Sequence, residues 1–204
     1  ESRYPMSEFM ELFKKTKALG MPFTLHAGEC GNVQNILDSV EAGAGRIGHG
    51  IAMRGHADVQ KELQKKGIGI EMCPISNLQT KAVGSTKDYP MREFLNARLK
   101  VTVNTDNRTV SNTTLTKELE FIQKTYGITD EEIHLMMRNA VDVAFADDAV
   151  KERMLEVCIK NWKMFKKHKR KDGFQTRKSS HLRLRSRRLC REDQDRKDCK
   201  IYRD

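Results

Sequence analysis

Four side chains capable of metal or acid–base chemistry stand at the ends of short apolar runs in this sequence: His26, His49, Cys73 and Asp106, separated by 23, 24 and 33 residues. A fifth, Glu29, follows the first within His26-Ala27-Gly28-Glu29. Imidazole nitrogens and carboxylate oxygens are zinc donors, and a catalytic zinc site combines about three protein ligands with one position left open to water. His26 and Asp106 are of that ligand type. Glu29 can carry a proton to and from a substrate. His49 can accept a hydrogen bond from a metal-bound water and help keep it as hydroxide. Asp106-Asn107 sets an ionised group beside an amide able to read a polar ligand edge. Gly28 permits a sharp bend with no Cβ clash, so that His26 and Glu29 can face one small volume. Each residue also has a structural reading: His26 and His49 as satisfied histidines, Asp106 as a helix cap or turn former.

Chemistry of this kind needs elements that bring distant residues together. Residues 22–26, 46–50, 67–73 and 100–104 read as strands, each ending at or just before one of the four side chains. Helical periodicity covers 7–19 with Ser7 as N-cap, 32–42 stopped by Gly43, and 57–65 stopped by Gly67. It covers 90–97 with Pro90 at the first helical position, then 113–126, 129–144 and 147–165. Thr129-Asp130-Glu131-Glu132 is a capping box with acid in the first turn. Strand, loop and helix recurring at this interval indicate an α/β fold with parallel strands. Candidate residues at successive strand ends favour a TIM barrel, whose site gathers residues from many strand ends. A doubly wound sheet places its site only near the switch point. Such a barrel has eight strands in roughly 250 residues, and four are visible here. The expectation is the carboxyl-terminal half of a (β/α)8 barrel, strands five to eight with their helices, over residues 1–165.

Composition narrows the rest. The 204 residues suffice for one domain with a sizeable core. The chain opens on Glu1 and not on Met, which reads as a fragment or a processed chain. No run approaches the ~20 apolar residues of a membrane span, and the amino end is no secretory signal. The five cysteines form no C-x-x-C pair, which fits a reducing compartment and a cytoplasmic protein. The formal charge of +10 is not spread over the chain. Residues 166–204 hold 16 of the 38 Lys+Arg but only 6 of the 28 Asp+Glu, leaving 22 of each sign in residues 1–165. This basic segment is too poor in apolar residues to offset its ordering entropy and reads as disordered. It could bind phosphate backbones or an anionic membrane surface. A non-native segment, for example one read in a shifted frame, is the preferred reading.

Taken together, His26-Ala27-Gly28-Glu29, Arg46-Ile47-Gly48-His49-Gly50, Cys73-Pro74-Ile75-Ser76-Asn77 and Asn104-Thr105-Asp106-Asn107 resemble the adenosine deaminase family, in that family's order and over residues 7–165. The Asn107-Arg108 variant with the residues after it resembles a bacterial branch. The resemblance implies a (β/α)8 barrel with one Zn2+ per full-length chain. The implied reaction is hydrolysis of the 6-amino group of adenosine or 2'-deoxyadenosine to the inosine product and ammonia, in purine salvage. It makes His26 and Asp106 metal ligands, Glu29 the acid that protonates the purine ring, and His49 the support of the attacking hydroxide. Gly28 and Asn107 become substrate-binding candidates. The family usually has Asp at the position of Asn107, and an amide carbonyl can still accept the purine's hydrogen bond, without the charge. The partner implied is a small nucleoside; no membrane or nucleic acid is expected, and the oligomeric state stays open. The cytidine-type zinc deaminase pattern, H-x-E with P-C-x-x-C, is absent.

The family also draws two zinc ligands from an H-x-H, and none of the six histidines here forms one. The residues alone are therefore expected to bind metal weakly and to turn over no adenosine at a useful rate. The rival readings are a catalytically dead remnant that still binds purines, and a nucleic-acid-binding protein led by the basic segment. Cys73 reads as a buried apolar residue, Ser76 and Asn77 as turn caps, and His56 and His134 as surface or capping residues. Trp162 and Phe165 read as helix packing.

Overall fold

Four short strands, β1 (Thr24–Ala27), β2 (Arg46–His49), β3 (Gly69–Met72) and β4 (Lys100–Val103), form one sheet in the order β1-β2-β3-β4, every neighbouring pair parallel. Consecutive order without a reversal is the winding of a barrel; a doubly wound sheet would switch direction part-way. The computed structural model describes residues 3–171, with side chains through residue 164.

Helices connect the strands. α1 (Met10–Ala18) precedes β1, α2 (Val33–Ala42) joins β1 to β2, and α3 (Ala57–Lys66) joins β2 to β3. Two six-residue helices, α4 (Pro74–Gln79) and α5 (Met91–Asn96), lie between β3 and β4. After β4 come α6 (Leu115–Tyr126), α7 (Asp130–Asp142) and α8 (Asp148–Lys171). Local chemistry sets most boundaries. The Asn32 side chain accepts from the Asn35 backbone to open α2, and Gly43, at φ 106°, closes it in a left-handed conformation that a Cβ would strain. Thr114 caps α6, and Thr129 and Glu132 form the expected reciprocal box at α7.

Strand alternation separates two faces. The row Leu25, Ile47, Ile70 and Val101 runs in register across all four strands. It packs with Ile36, Leu63, Phe94 and Ile122 in the apolar core. Thr24, Arg46, His26, Gly48, Glu71 and Thr102 fall on the opposite alternation. There Glu71 accepts from Arg46 Nε at 2.6 Å and from Thr24 Oγ1 at 2.9 Å. Arg46 also donates to the Val143 carbonyl and lies 3.7 Å over the Phe145 ring, a cation–π contact. This layer ties three strands to the segment after α7. On β4, Asn139 of α7 donates to the Val101 carbonyl, which satisfies part of a strand edge that would otherwise stand unpaired.

Several expected details differ. The first helix opens as a 3-10 turn, Met6–Phe9, with Pro5 and not Ser7 in the cap position, and no side chain caps it. Pro90 sits at the cap of α5, one place before the first helical residue. Ser76 and Asn77, read as turn caps, lie inside the helix α4, which opens at Pro74, whose φ is already set for a first helical position. The ring of the half-buried His134 stacks on Trp162, centroids 4.6 Å apart. The side chain of Phe165 lies outside the described residues. Of the described residues, those up to Trp162 form one compact unit, and a second begins at Lys163. Beyond Lys171 the basic segment lies outside the described residues. Among the described residues no helix is long and apolar enough to cross a membrane.

Candidate active site

The carboxyl end of β1 carries His26 into a turn that only glycine accommodates. Gly28 has φ +72°, and a Cβ there would meet Ile36 Cδ1 at 2.4 Å. Its carbonyl is held by the Ala52 N–H at 2.8 Å. This turn brings Glu29 back beside His26, as the spacing implied.

His49 closes β2. Alternation would send it to the helix-facing side with its register partner Ala27. Its backbone instead adopts φ 67°, with Gly50 N–H bonded to the Gly48 carbonyl at 3.0 Å. That is a γ-turn of the rare left-handed form. Strain of this kind in a non-glycine residue persists where surrounding structure over-determines it. The buried His49 ring stands edge-on to His26, centroids 4.7 Å apart and planes at 88°. His26 lies against Gly48 so closely that a Cβ there would meet its Cδ2 at 2.6 Å. His49 Nε2 is 3.5 Å from Glu29 Oε2. One potential ligand atom from each of His26, Glu29 and His49 lies within 4.8 Å of the others. The three sequence candidates of the first two strands thus meet in one place.

Asp106 does not join that group. It follows β4 at φ 52°, a second strained non-glycine position, and its Oδ2 accepts from Ser76 Oγ at 2.6 Å. Asn107 is exposed, and its Oδ1 receives the N–H groups of Thr109 at 3.1 Å and Val110 at 2.9 Å. Both acceptor positions of the amide oxygen are thereby used. The carbonyl expected to accept from the purine is engaged here in a local turn, and the NH2 group is not.

The residues that sequence reasoning misjudged are Ser76 and Asn77. Both are buried in α4. Ser76 holds Asp106, while Asn77 Nδ2 lies 2.9 Å from His49 Nδ1 and 3.2 Å from Glu29 Oε1. Tyr89 Oη donates to Asn77 Oδ1 at 3.4 Å. The fully buried Glu118 of α6 accepts from the Ile75 N–H at 3.2 Å, fixing the first turn of α4. Burial pushes the Glu118 carboxyl above its ordinary range. One short helix therefore touches the candidates of β1, β2 and β4. The available signal was their place in the Cys73-Pro74-Ile75-Ser76-Asn77 motif. Cys73 itself is buried, and desolvation, aided by the Asp106 carboxylate, pushes its thiol up to about 12. That leaves it a packing residue and no nucleophile. Beside Glu29, a cavity of about 300 Å³ is lined by residues including Gly28, Ala52, Arg54, Val83 and Asp88.

A description of the family named adenosine deaminase matches residues 1–161. The chain belongs to the adenosine deaminase family. Over 153 residues it is 44% identical to an adenosine deaminase of Clostridium botulinum (strain Okra / Type B1), covering 74% of this chain and 45% of that relative. The crystal structure of an adenine deaminase from Arthrobacter aurescens superposes with a TM-score of 0.76 at 28% identity, over 80% of this chain and 50% of that one. A zinc-bound amidohydrolase from Burkholderia ambifaria gives a TM-score of 0.75 at 24% identity, over 80% of this chain and 46% of that one, and shares the fold. The chain spans about half the length of the curated relatives it matches. Its four strands and their helices are a partial deaminase barrel, and the family's motifs fall at the carboxyl ends of those strands.

Proposed function

We propose that this chain carries the acid–base portion of a zinc-dependent site for the hydrolytic deamination of adenosine and 2'-deoxyadenosine, working as part of a full-length cytoplasmic enzyme of purine salvage. The observation behind this reading is the convergence of His26, Glu29 and His49 at the ends of adjacent strands in a member of this family. The side chains present suit zinc by donor type, an imidazole on His26 and a carboxylate on Asp106. These two would hold one ion, together with ligands from outside the chain, since no H-x-H occurs in it. Bound there, the ion would supply Lewis acidity and lower the pKa of water.

The chain's own residues account for the remaining steps. Glu29 delivers a proton to the purine ring nitrogen as water adds at C6, and the 6-amino group departs as ammonia. His49 orients the attacking water by a hydrogen bond. Gly28 lines the cavity beside Glu29 and would meet the substrate through its backbone. Asn107 offers its NH2 group to the ligand. Ser76 keeps Asp106 in place. Residues 1–165 form the partial barrel domain that does this work, and the basic residues 166–204 take no part in it. The partner is a small nucleoside and not a nucleic acid.

The experiment measures zinc content and ammonia release with adenosine, 2'-deoxyadenosine and adenine, on this chain and on a form extended by an H-x-H-bearing amino-terminal half. Turnover of the nucleosides by the extended form, lost in Glu29→Gln, is expected. Little or none is expected from the 204-residue chain. An extended, zinc-loaded form that releases ammonia only from adenine, or from none of the three, overturns the assignment.

A further inference from the structure

We propose that Asn77 is a positioning residue that locks His49 in the Nε2–H tautomer facing Glu29, so that His49 serves as a hydrogen-bond donor and not as a metal ligand. The inference rests on the deaminase reading above. His26, Glu29 and His49 are close enough to be taken for a ligand triad, and what Asn77 does to His49 decides against that.

While Glu29 is ionised, the amide of Asn77 can be oriented in only one way. Its group facing Glu29 Oε1 at 3.2 Å must be a donor, because a carboxylate oxygen accepts. Turning the amide over would set oxygen against oxygen. That group is therefore Nδ2, and its second hydrogen points at His49 Nδ1, 2.9 Å away. The buried Tyr89 hydroxyl donates to the remaining Oδ1 and completes the assignment. Burial pushes the Tyr89 phenol well above its ordinary range, so it keeps the proton it donates. With Nδ1 accepting, a neutral His49 carries its hydrogen on Nε2. Nε2 faces Glu29 Oε2 at 3.5 Å, where a bare lone pair would be repelled. One ring nitrogen then accepts and the other carries hydrogen, so neither has a lone pair free for an ion, while the Nε2–H is a donor that a water beside Glu29 can accept from. His26 is not engaged by Asn77, which divides the two histidines by role: His26 for the metal, His49 for the reacting water.

Asn77 reaches this position across 28 residues from His49 and 48 from Glu29. Its own placement depends on α4, whose first turn hangs on Glu118.

The test is a long-range 1H–15N correlation spectrum of the histidine rings in the 204-residue chain, at a pH of about 8.5, above the ordinary imidazole range. The His49 signals are assigned by their loss in His49→Gln. Wild type is expected to show Nδ1 at the shift of an unprotonated nitrogen and Nε2 at that of a protonated one. In Asn77→Asp the partner offers only acceptors, so the two nitrogens should exchange roles or average, while the signals of His56 stay in place. A protonated Nδ1 in wild type, or a wild-type pattern that survives in Asn77→Asp, overturns the proposal. Should Asn77→Asp fail to fold by circular dichroism, Asn77→Ala, which removes the donor altogether, is judged by the same criteria. Zinc added to wild type should leave both His49 nitrogens unmoved, and a coordination shift there also overturns the proposal. No response of His26 to zinc counts instead against the metal site proposed above, with the tautomer standing.

Discussion

Adding one methyl group at Gly48 separates the stability of the barrel from the geometry of its candidate site. A Cβ at Gly48 would lie 2.6 Å from His26 Cδ2, 3.3 Å from Cγ and 3.3 Å from Nε2. Ordinary contact begins at 3.4 Å, so the ring must retreat by about 1 Å to leave the repulsive wall. Overpacking of this size costs about 1–3 kcal/mol when the neighbour cannot move. His26 is exposed and can swing outward, and alanine in a strand regains about 0.5–1 kcal/mol over glycine. Gly48→Ala should therefore shift the stability of the metal-free chain by less than about 1 kcal/mol. The cost reappears when zinc demands the ring in its original place. Then about 1–3 kcal/mol becomes a loss of roughly 5- to 150-fold in zinc affinity. Thermal melts without metal and calorimetric titration with zinc read the two quantities separately. Gly48→Ala binding zinc within about twofold of wild type would refute the reasoning, since His26 would then be dispensable or free to bind from elsewhere.

Three further outcomes follow from the same geometry. Burial raises the Glu118 carboxyl, so the native state binds more protons than the unfolded one, and stability falls as pH rises through the window between the ordinary carboxylate value and the raised one. Glu118→Gln keeps an acceptor for the Ile75 N–H. It should melt higher than wild type at a pH of about 8 and lose that advantage at about pH 4–5, whereas Glu118→Ala should cost about 1–3 kcal/mol at either pH. Iodoacetamide under native conditions should alkylate the exposed Cys30 and spare Cys73, whose thiol is buried and pushed up to about 12; peptide mass spectrometry checks this, and rapid labelling of Cys73 contradicts the burial. Thr129→Ala removes half of the capping box and should cost about 1 kcal/mol in urea denaturation.

Much of the fold was legible in local pattern. The four strands, the glycine stops after residues 42 and 66, and the Thr129 box are set by contacts within a few residues, which sequence displays directly. The return of Glu29 toward His26 was legible for the same reason, because one glycine turn separates them. α4 was not legible. Its six residues carry no helical period long enough to detect, and it is held by Glu118, 43 residues from Ile75. The local bonds of Asn107 were not legible either, because the backbone N–H groups that reach its amide oxygen belong to a loop whose path only the structure gives.

By itself the sequence determined which residue types are available and the order in which parallel strands deliver them: His26, then His49, then Asp106, each at a carboxyl end. Periodicity and turn chemistry are local, so they survive being read one residue after another. The tertiary structure alone decided which of those residues meet. It drew His49 from the apolar side through a strained turn, set it edge-on to His26, and bound Asp106 to Ser76. It also recruited Asn77 as the bridge between Glu29 and His49. Hydrogen bonds that span 28 to 48 residues leave no trace in local spacing. Their partners are chosen by the parallel register of the sheet and by α4, which carries Ser76 and Asn77 to the residues at the strand ends.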